Sequence, residues 1–328
     1  MGLQFIFLAA GFLLLYYGAE WLVKGSASLA RSLGISAVVI GLTVVAFGTS
    51  SPELVVSIVS SIKGRSMIAI GNVVGSNICN IALVLGMAAV LLPIRADRSV
   101  VRRDIPLMLA ISVLLLVLSL DSMITRMEGG ILFAGIILYT LFNYYQPKTP
   151  GGPGGLKPDA ARDVETELAE IGVVESRPRQ ILLIVLGIAG VVGGAQVLID
   201  AAVAIMKDFG VSEKFIGLTI VALGTSLPEL ATSIVAAMRK EMDISIGNLV
   251  GSNVFNILSV VGAAALVRPI PIPGGFVESG LVIDYGVMMG VSLLPWLMMQ
   301  KDYTVRRSGG LILLGCYAAY IGYLLYRG

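Results

Sequence analysis

Ten apolar runs follow one another along the chain, and nearly every charge falls in the gaps between them. They lie near residues 3–23, 36–62, 67–92, 105–120, 129–146, 180–206, 213–238, 244–267, 282–299 and 309–326. A helix needs about 20 residues to cross roughly 30 Å of hydrocarbon, and one soluble core has no room for so many segments of that kind. Composition agrees: of 328 residues only 13% are charged and the mean hydropathy is +0.91, against about 25% charged residues in a soluble domain. The first charge is Glu20, so the opening run reads as a retained span and not as a cleaved leader. The expected class is an all-α polytopic membrane protein.

Several functions drop out at once. The chain has no histidine, which removes the commonest general base and the commonest transition-metal ligand. Cys79 and Cys316 both sit inside apolar runs, so neither a disulfide framework nor a thiolate metal site is expected. A net charge of +2 is too small to call for a nucleic-acid partner. No cofactor and no protein partner are expected; the surroundings are the lipid bilayer.

Five runs precede and five follow a polar stretch, residues 147–179, that is rich in Pro and Gly and then acidic. This is linker composition, with room for one short helix; its carboxylates lack EF-hand spacing. The chain thus divides into residues 1–146, a linker, and residues 180–328. Cytoplasmic loops carry the excess of Lys and Arg. Of the 23 such residues, sixteen lie in odd-numbered loops: Lys24 and Arg31; Arg95, Arg98, Arg102 and Arg103; Lys148, Lys157, Arg162, Arg177 and Arg179; Arg239 and Lys240; Lys301, Arg306 and Arg307. Both termini should then face outward and the linker should be cytoplasmic, in a cell membrane. Because five is odd, the second half crosses the membrane upside down relative to the first.

The two halves also match in sequence. Residues 41–81 align without a gap on 217–257, with 24 of 41 positions identical and a constant offset of 176. The same offset relates Gly18-Ala19 to Gly194-Ala195 and Gly34 to Gly210. The expected architecture is ten transmembrane helices as two inverted five-helix repeats, a design that places the substrate site near the bilayer midplane where the halves meet.

Each repeat buries one carboxylate deep in an apolar run: Glu53 in GTSSPEL and Glu229 in GTSLPEL. A charge at mid-membrane costs at least roughly 2.5–3.5 kcal/mol, and no Lys or Arg lies at comparable depth. A lone protonated glutamate satisfied by its helix is an ordinary structural feature; two related by a repeat point to a site. Gly48 and Pro52, like Gly224 and Pro228, should break helices 2 and 7 there and free backbone carbonyls. Thr49 and Ser50 precede Glu53 by four and three residues, as Thr225 and Ser226 precede Glu229, which places them on the glutamate's face of a helix. Such hard oxygen ligands suit calcium and sodium. The following span adds Asn72, Ser76 and Asn80, and in the second half Asn248, Ser252 and Asn256, recurring every four residues. Gly71 and Gly75, and Gly247 and Gly251, form GxxxG pairs that favour close helix packing. The remaining intramembrane charges read more plainly: Lys24 and Asp200 as interfacial, Asp104 and Asp284 as helix-boundary caps, and Glu20, matched by Gln196, as outside the site.

GTSxPE followed by GNxVGSNxxN, twice, resembles the cation/calcium exchanger superfamily and its prokaryotic sodium/calcium exchanger-like branch, over essentially the whole chain. The resemblance implies that Glu53 and Glu229 bind calcium and share sodium sites, aided by the carbonyls of Thr49 and Thr225. It further implies that Ser50, Ser76, Ser226 and Ser252, with the carbonyls of Ala46 and Ala222, line the flanking sodium sites, and that Asn80 and Asn256 touch the ions. It also implies that the first and sixth spans slide across the rest. Both asparagine motifs end in Asn, whereas some archaeal exchangers and the potassium-dependent branch carry Asp at the position of Asn256; two formal charges match one calcium ion and argue against potassium co-transport. Calcium and sodium are then substrates, and the chain is a transporter and not an enzyme. A proton/calcium antiporter on the same glutamates is the nearest alternative; a calcium channel and an intramembrane hydrolase fit less well.

Overall fold

A computed structural model describes residues 2–145, 174, 176–209 and 222–327. Helices dominate: α1 (Gly2–Leu33), α2 (Ala37–Thr49), α3 (Ser51–Ile62), α4 (Ser66–Leu91), α5 (Ile105–Ser119) and α6 (Arg126–Tyr144) in the first half. The second half has α7 (Arg177–Asp208), α8 (Ala222–Gly224), α9 (Leu227–Met238), α10 (Met242–Val267), α11 (Leu281–Met298) and α12 (Arg307–Arg327). Among the described residues, six helices are long and apolar enough to cross a membrane, or seven when α2 and α3 are taken as one bent span. The polar stretch expected to be the linker lies almost wholly outside the described residues.

Local chemistry sets the boundaries. Gly34, at φ 63°, ends α1 in a left-handed turn in which the Ile35 amide reaches back to the Ala30 carbonyl at 3.0 Å. A capping box closes the start of α6, with Thr125 accepting from the Glu128 amide and Glu128 accepting from the Thr125 amide. The expected cap at Asp104 is not what that residue does. Asp104 makes no cap bond and instead accepts from Arg103 Nε at 2.7 Å; Asp284 accepts from the Tyr320 hydroxyl of α12 at 3.0 Å.

Two short strand pairs tie the halves together. β1 (Ile94–Arg95) pairs antiparallel with β4 (Thr304–Val305), and β2 (Met123–Ile124) with β3 (Ile270–Pro271). Burial falls into two groups. The larger is built on α4 and α10 with α5, α6, α11 and α12 around them; the smaller is formed by α1, α7 and the residues of α2, α9 and α10 that face them. Within the second group α1 and α7 touch backbone to backbone. A Cβ on Gly18 would lie 2.6 Å from the Val191 nitrogen, and one on Gly187 would lie 2.5 Å from the Leu22 nitrogen.

Candidate functional site: two broken helices facing each other

Pro52 has no N–H to give the Gly48 carbonyl, so the ladder fails there and α2 and α3 meet at a 47° bend. The Ser51 hydroxyl covers the Gly48 carbonyl at 2.7 Å. The second half breaks at the same place, with α8 ending at Gly224 and α9 starting at Leu227. Glu53 and Glu229 therefore occupy the first turns of α3 and α9, where unpaired amides and the helix dipole favour negative charge. Both are completely buried. Among the described residues no basic side chain pairs with either one, and no further Asp, Glu or Cys joins them in a cluster of three.

Each glutamate takes a serine from the span behind it, and Glu229 takes one more from the opposite repeat. Ser50 donates to Glu229 Oε1 at 2.9 Å, Ser76 to Glu53 Oε1 at 3.3 Å and Ser252 to Glu229 Oε1 at 3.5 Å. Thr49 donates to Asn248 Oδ1 at 3.1 Å and stands 3.4 Å from Ser252 Oγ and from the Ala46 carbonyl. Thr225 lies at the second break, between α8 and α9. The expectation that Thr49 and Ser50 serve Glu53 on one helix face is thus corrected: the helix bends between Ser50 and Glu53, and the hydroxyls turn to the other repeat. Ala46 is buried in the last turn of α2, Ala222 opens α8, and Ser226 is buried at the second break with no hydrogen-bond partner for its hydroxyl.

The spans behind the breaks deliver the asparagines. Asn72 Nδ2 donates to the Glu53 carbonyl at 3.2 Å and to Ser57 Oγ at 2.9 Å, and Asn248 Nδ2 donates to Ser233 Oγ at 3.1 Å. These two residues fasten α4 to α3 and α10 to α9. Asn80 and Asn256 sit at π-helical turns, Cys79–Leu85 and Asn256–Val261, a winding that recurs at functional sites. Glu53 Oε2, Glu229 Oε2, Asn80 Oδ1 and Asn256 Oδ1 are all buried and all lack a hydrogen-bond partner. Four acceptors left bare at such depth, two of them carboxylate oxygens, are costly unless something positive meets them.

Close packing by GxxxG holds in the second half, where a Cβ on Gly247 would meet the Val38 carbonyl at 2.9 Å and one on Gly251 the Leu42 Cα at 2.6 Å. The residues equivalent to Val38 and Leu42, at positions 214 and 218, lie outside the described residues. Sequence reasoning missed Asn77 and Asn253, which bridge the repeats. Their signal was present, since both belong to the repeated GSN, but they fall off the four-residue stripe.

Two broken helices presenting carboxylates, hydroxyls and carbonyls to one another define a membrane cation transporter. The chain belongs to the sodium/calcium exchanger protein family, whose model matches residues 3–145 and 179–326. It is 31% identical over 353 residues to the sodium/calcium exchanger MaX1 of Methanosarcina acetivorans, covering 98% of this chain and 99% of that one. It is 35% identical over 320 residues to the inner membrane protein YrbG of Escherichia coli, covering 97% and 95%. The solved structure of the sodium-calcium exchanger NCX_Mj soaked with zero Na+ and Ca2+ superposes with a TM-score of 0.82 at 32% identity, over 98% of this chain and 99% of that chain. The protein is accordingly a multi-pass membrane exchanger of the cation/calcium class.

Proposed function

We propose that this chain is a secondary active antiporter that exchanges Ca2+ for Na+ by alternating access at the Glu53–Glu229 pair. The observation that carries the reading is the meeting of two buried glutamates, one from each repeat, with bare carboxylate and carboxamide oxygens and, among the described residues, no basic side chain paired with them. Ca2+ takes hard oxygen ligands and tolerates irregular geometry, and two carboxylates balance its charge. Na+ would occupy the same glutamates together with Ser50, Ser76, Ser226 and Ser252 and the carbonyls of Ala46 and Ala222, with Thr49, Thr225, Asn80 and Asn256 completing the shell. An empty, unneutralised pair makes the occluded state costly, so the carrier crosses only when loaded.

The same reading takes the chain as ten spans in two inverted repeats, 1–146 and 180–328, joined by a cytoplasmic linker, with both termini outside a cell membrane. Contacts between the halves support it. Counted along ten spans, β1–β4 joins loops 3 and 9, β2–β3 joins loops 4 and 8, Arg31–Glu241 joins loops 1 and 7, and Arg268 to the Ile62 carbonyl joins loops 8 and 2. Every pair shares a side. Packing along the two broken helices is unequal: Val235 on α9 is 5% exposed against α1, whereas its equivalent Val59 on α3 is 40% exposed. With the loops assigned as above, this supports a state closed to the cytoplasm and open outward. The test is calcium flux in proteoliposomes carrying Glu53→Gln or Glu229→Gln. Both should abolish uptake while the protein stays folded; robust exchange in either would sink the site.

A further inference from the structure

The four asparagines at the crossing of α4 and α10 form a closed, two-fold arrangement. Asn80 Nδ2 donates to Asn253 Oδ1 at 3.1 Å and Asn256 Nδ2 donates to Asn77 Oδ1 at 3.0 Å. Asn77 Nδ2 in turn donates to the Asn253 carbonyl at 3.3 Å, and Asn253 Nδ2 to the Asn77 carbonyl at 3.4 Å. Asn77 and Asn253 thus use both ends of their amides inside the ring. Asn80 and Asn256 use only the nitrogen end, and their Oδ1 atoms are left buried and unpartnered.

A carboxamide is nearly symmetric in shape but opposite in polarity at its two ends. Turned by 180° about its last bond it would present N–H donors to a cation and repel it. Anchoring the nitrogen removes that freedom and commits the oxygen. We infer that Asn77 and Asn253 are positioning residues for the cation site, each holding the carboxamide of the opposite repeat, Asn256 and Asn80 respectively, with its oxygen toward the ion. This rests on the site proposed above and deepens it: ion affinity in each half depends on a residue of the other half that never touches the ion. Removing a group that orients a metal ligand typically weakens binding about 10–100-fold.

The pairing makes the test specific. Equilibrium binding of radioactive calcium to purified full-length protein in sodium-free buffer would be measured for Asn77→Ala, Asn256→Ala, Asn80→Ala and the doubles, with melting curves as the check on folding. Asn77→Ala should raise the Kd about tenfold, should add nothing in the Asn256→Ala background, and should add its full effect in the Asn80→Ala background. Asn253→Ala should show the reverse pattern. If Asn77→Ala fails to fold, Asn77→Ser and Asn253→Ser carry the same cycles. An unchanged Kd in Asn77→Ala, or full additivity with Asn256→Ala, would overturn the positioning role even with the site intact. An unchanged Kd in Asn256→Ala would instead remove the site reading on which the role rests.

Discussion

Replacing Gly18 by alanine adds one methyl group to a backbone-to-backbone contact between α1 and α7. Its Cβ would meet the Val191 nitrogen at 2.6 Å, the Gly190 carbonyl carbon at 2.7 Å and the Gly190 Cα at 2.9 Å. All three are backbone atoms of a helix, so no side chain can swing away; α7 itself must retreat by close to 1 Å to restore ordinary contact. Overpacking of this kind costs about 1–3 kcal/mol. Gly→Ala in a helix also gains up to about 1 kcal/mol of propensity, which masks part of the cost. Gly193→Ala on α7 supplies the matched reference, because that glycine is exposed and a Cβ there meets nothing within 4 Å. At about 2 °C per kcal/mol for a large domain, Gly18→Ala should melt about 2–6 °C below Gly193→Ala by differential scanning fluorimetry in detergent. If α1 and α7 move as a unit, transport should fall with it. Equal melting temperatures for the two variants would refute the close-contact argument.

Three further outcomes are expected. Lys240 holds φ 58° where its repeat equivalent is Gly64 at φ 72°; relieving a left-handed non-glycine gains about 1 kcal/mol, so Lys240→Gly should raise the melting temperature, and a lower one would contradict this. Ion pairs Glu20–Arg239 and Arg31–Glu241 clasp α1 to the α9–α10 hairpin, while the equivalent positions on the other side are Gln196 with Lys63 and Lys207 with Arg65, which cannot pair. Two partly exposed pairs contribute about 1 kcal/mol together, so Glu20→Gln with Arg31→Gln should raise labelling of Val235→Cys about fivefold from the side that the proposed orientation makes cytoplasmic, in a chain otherwise free of cysteine; unchanged labelling would dismiss the clasp. Ser51 covers the Gly48 carbonyl whereas the second repeat has Leu227 in its place, so Ser51→Ala should destabilise the first break by about 1 kcal/mol, read as a lower melting temperature, with no loss expected from Leu227→Ala beyond its packing.

Much of this molecule was legible in its letters because membrane spans and internal repeats leave strong, periodic signals. The breaks at Gly48–Pro52 and Gly224–Pro228 and the burial of Glu53 and Glu229 follow from local chemistry, whereas the first run, read as ending at residue 23, continues as helix to Leu33. The offset of 176 tells which residues are equivalent but not which ones touch. For that reason Ser50 was placed beside Glu53 and is found on Glu229, and the Asn77–Asn256 and Asn253–Asn80 bonds went unseen. Asp284 opens a span, and its bond to Tyr320 on the next helix is a tertiary contact that spacing along one helix does not encode.

The most direct measurement of the central claim is uptake of radioactive calcium into proteoliposomes loaded with sodium and diluted into sodium-free medium, beside potassium-loaded vesicles and vesicles with an imposed pH gradient. The account predicts rapid uptake only with internal sodium, abolished in Glu53→Gln. Uptake driven by the pH gradient and indifferent to sodium would contradict it and make the chain a proton/calcium antiporter on the same glutamates.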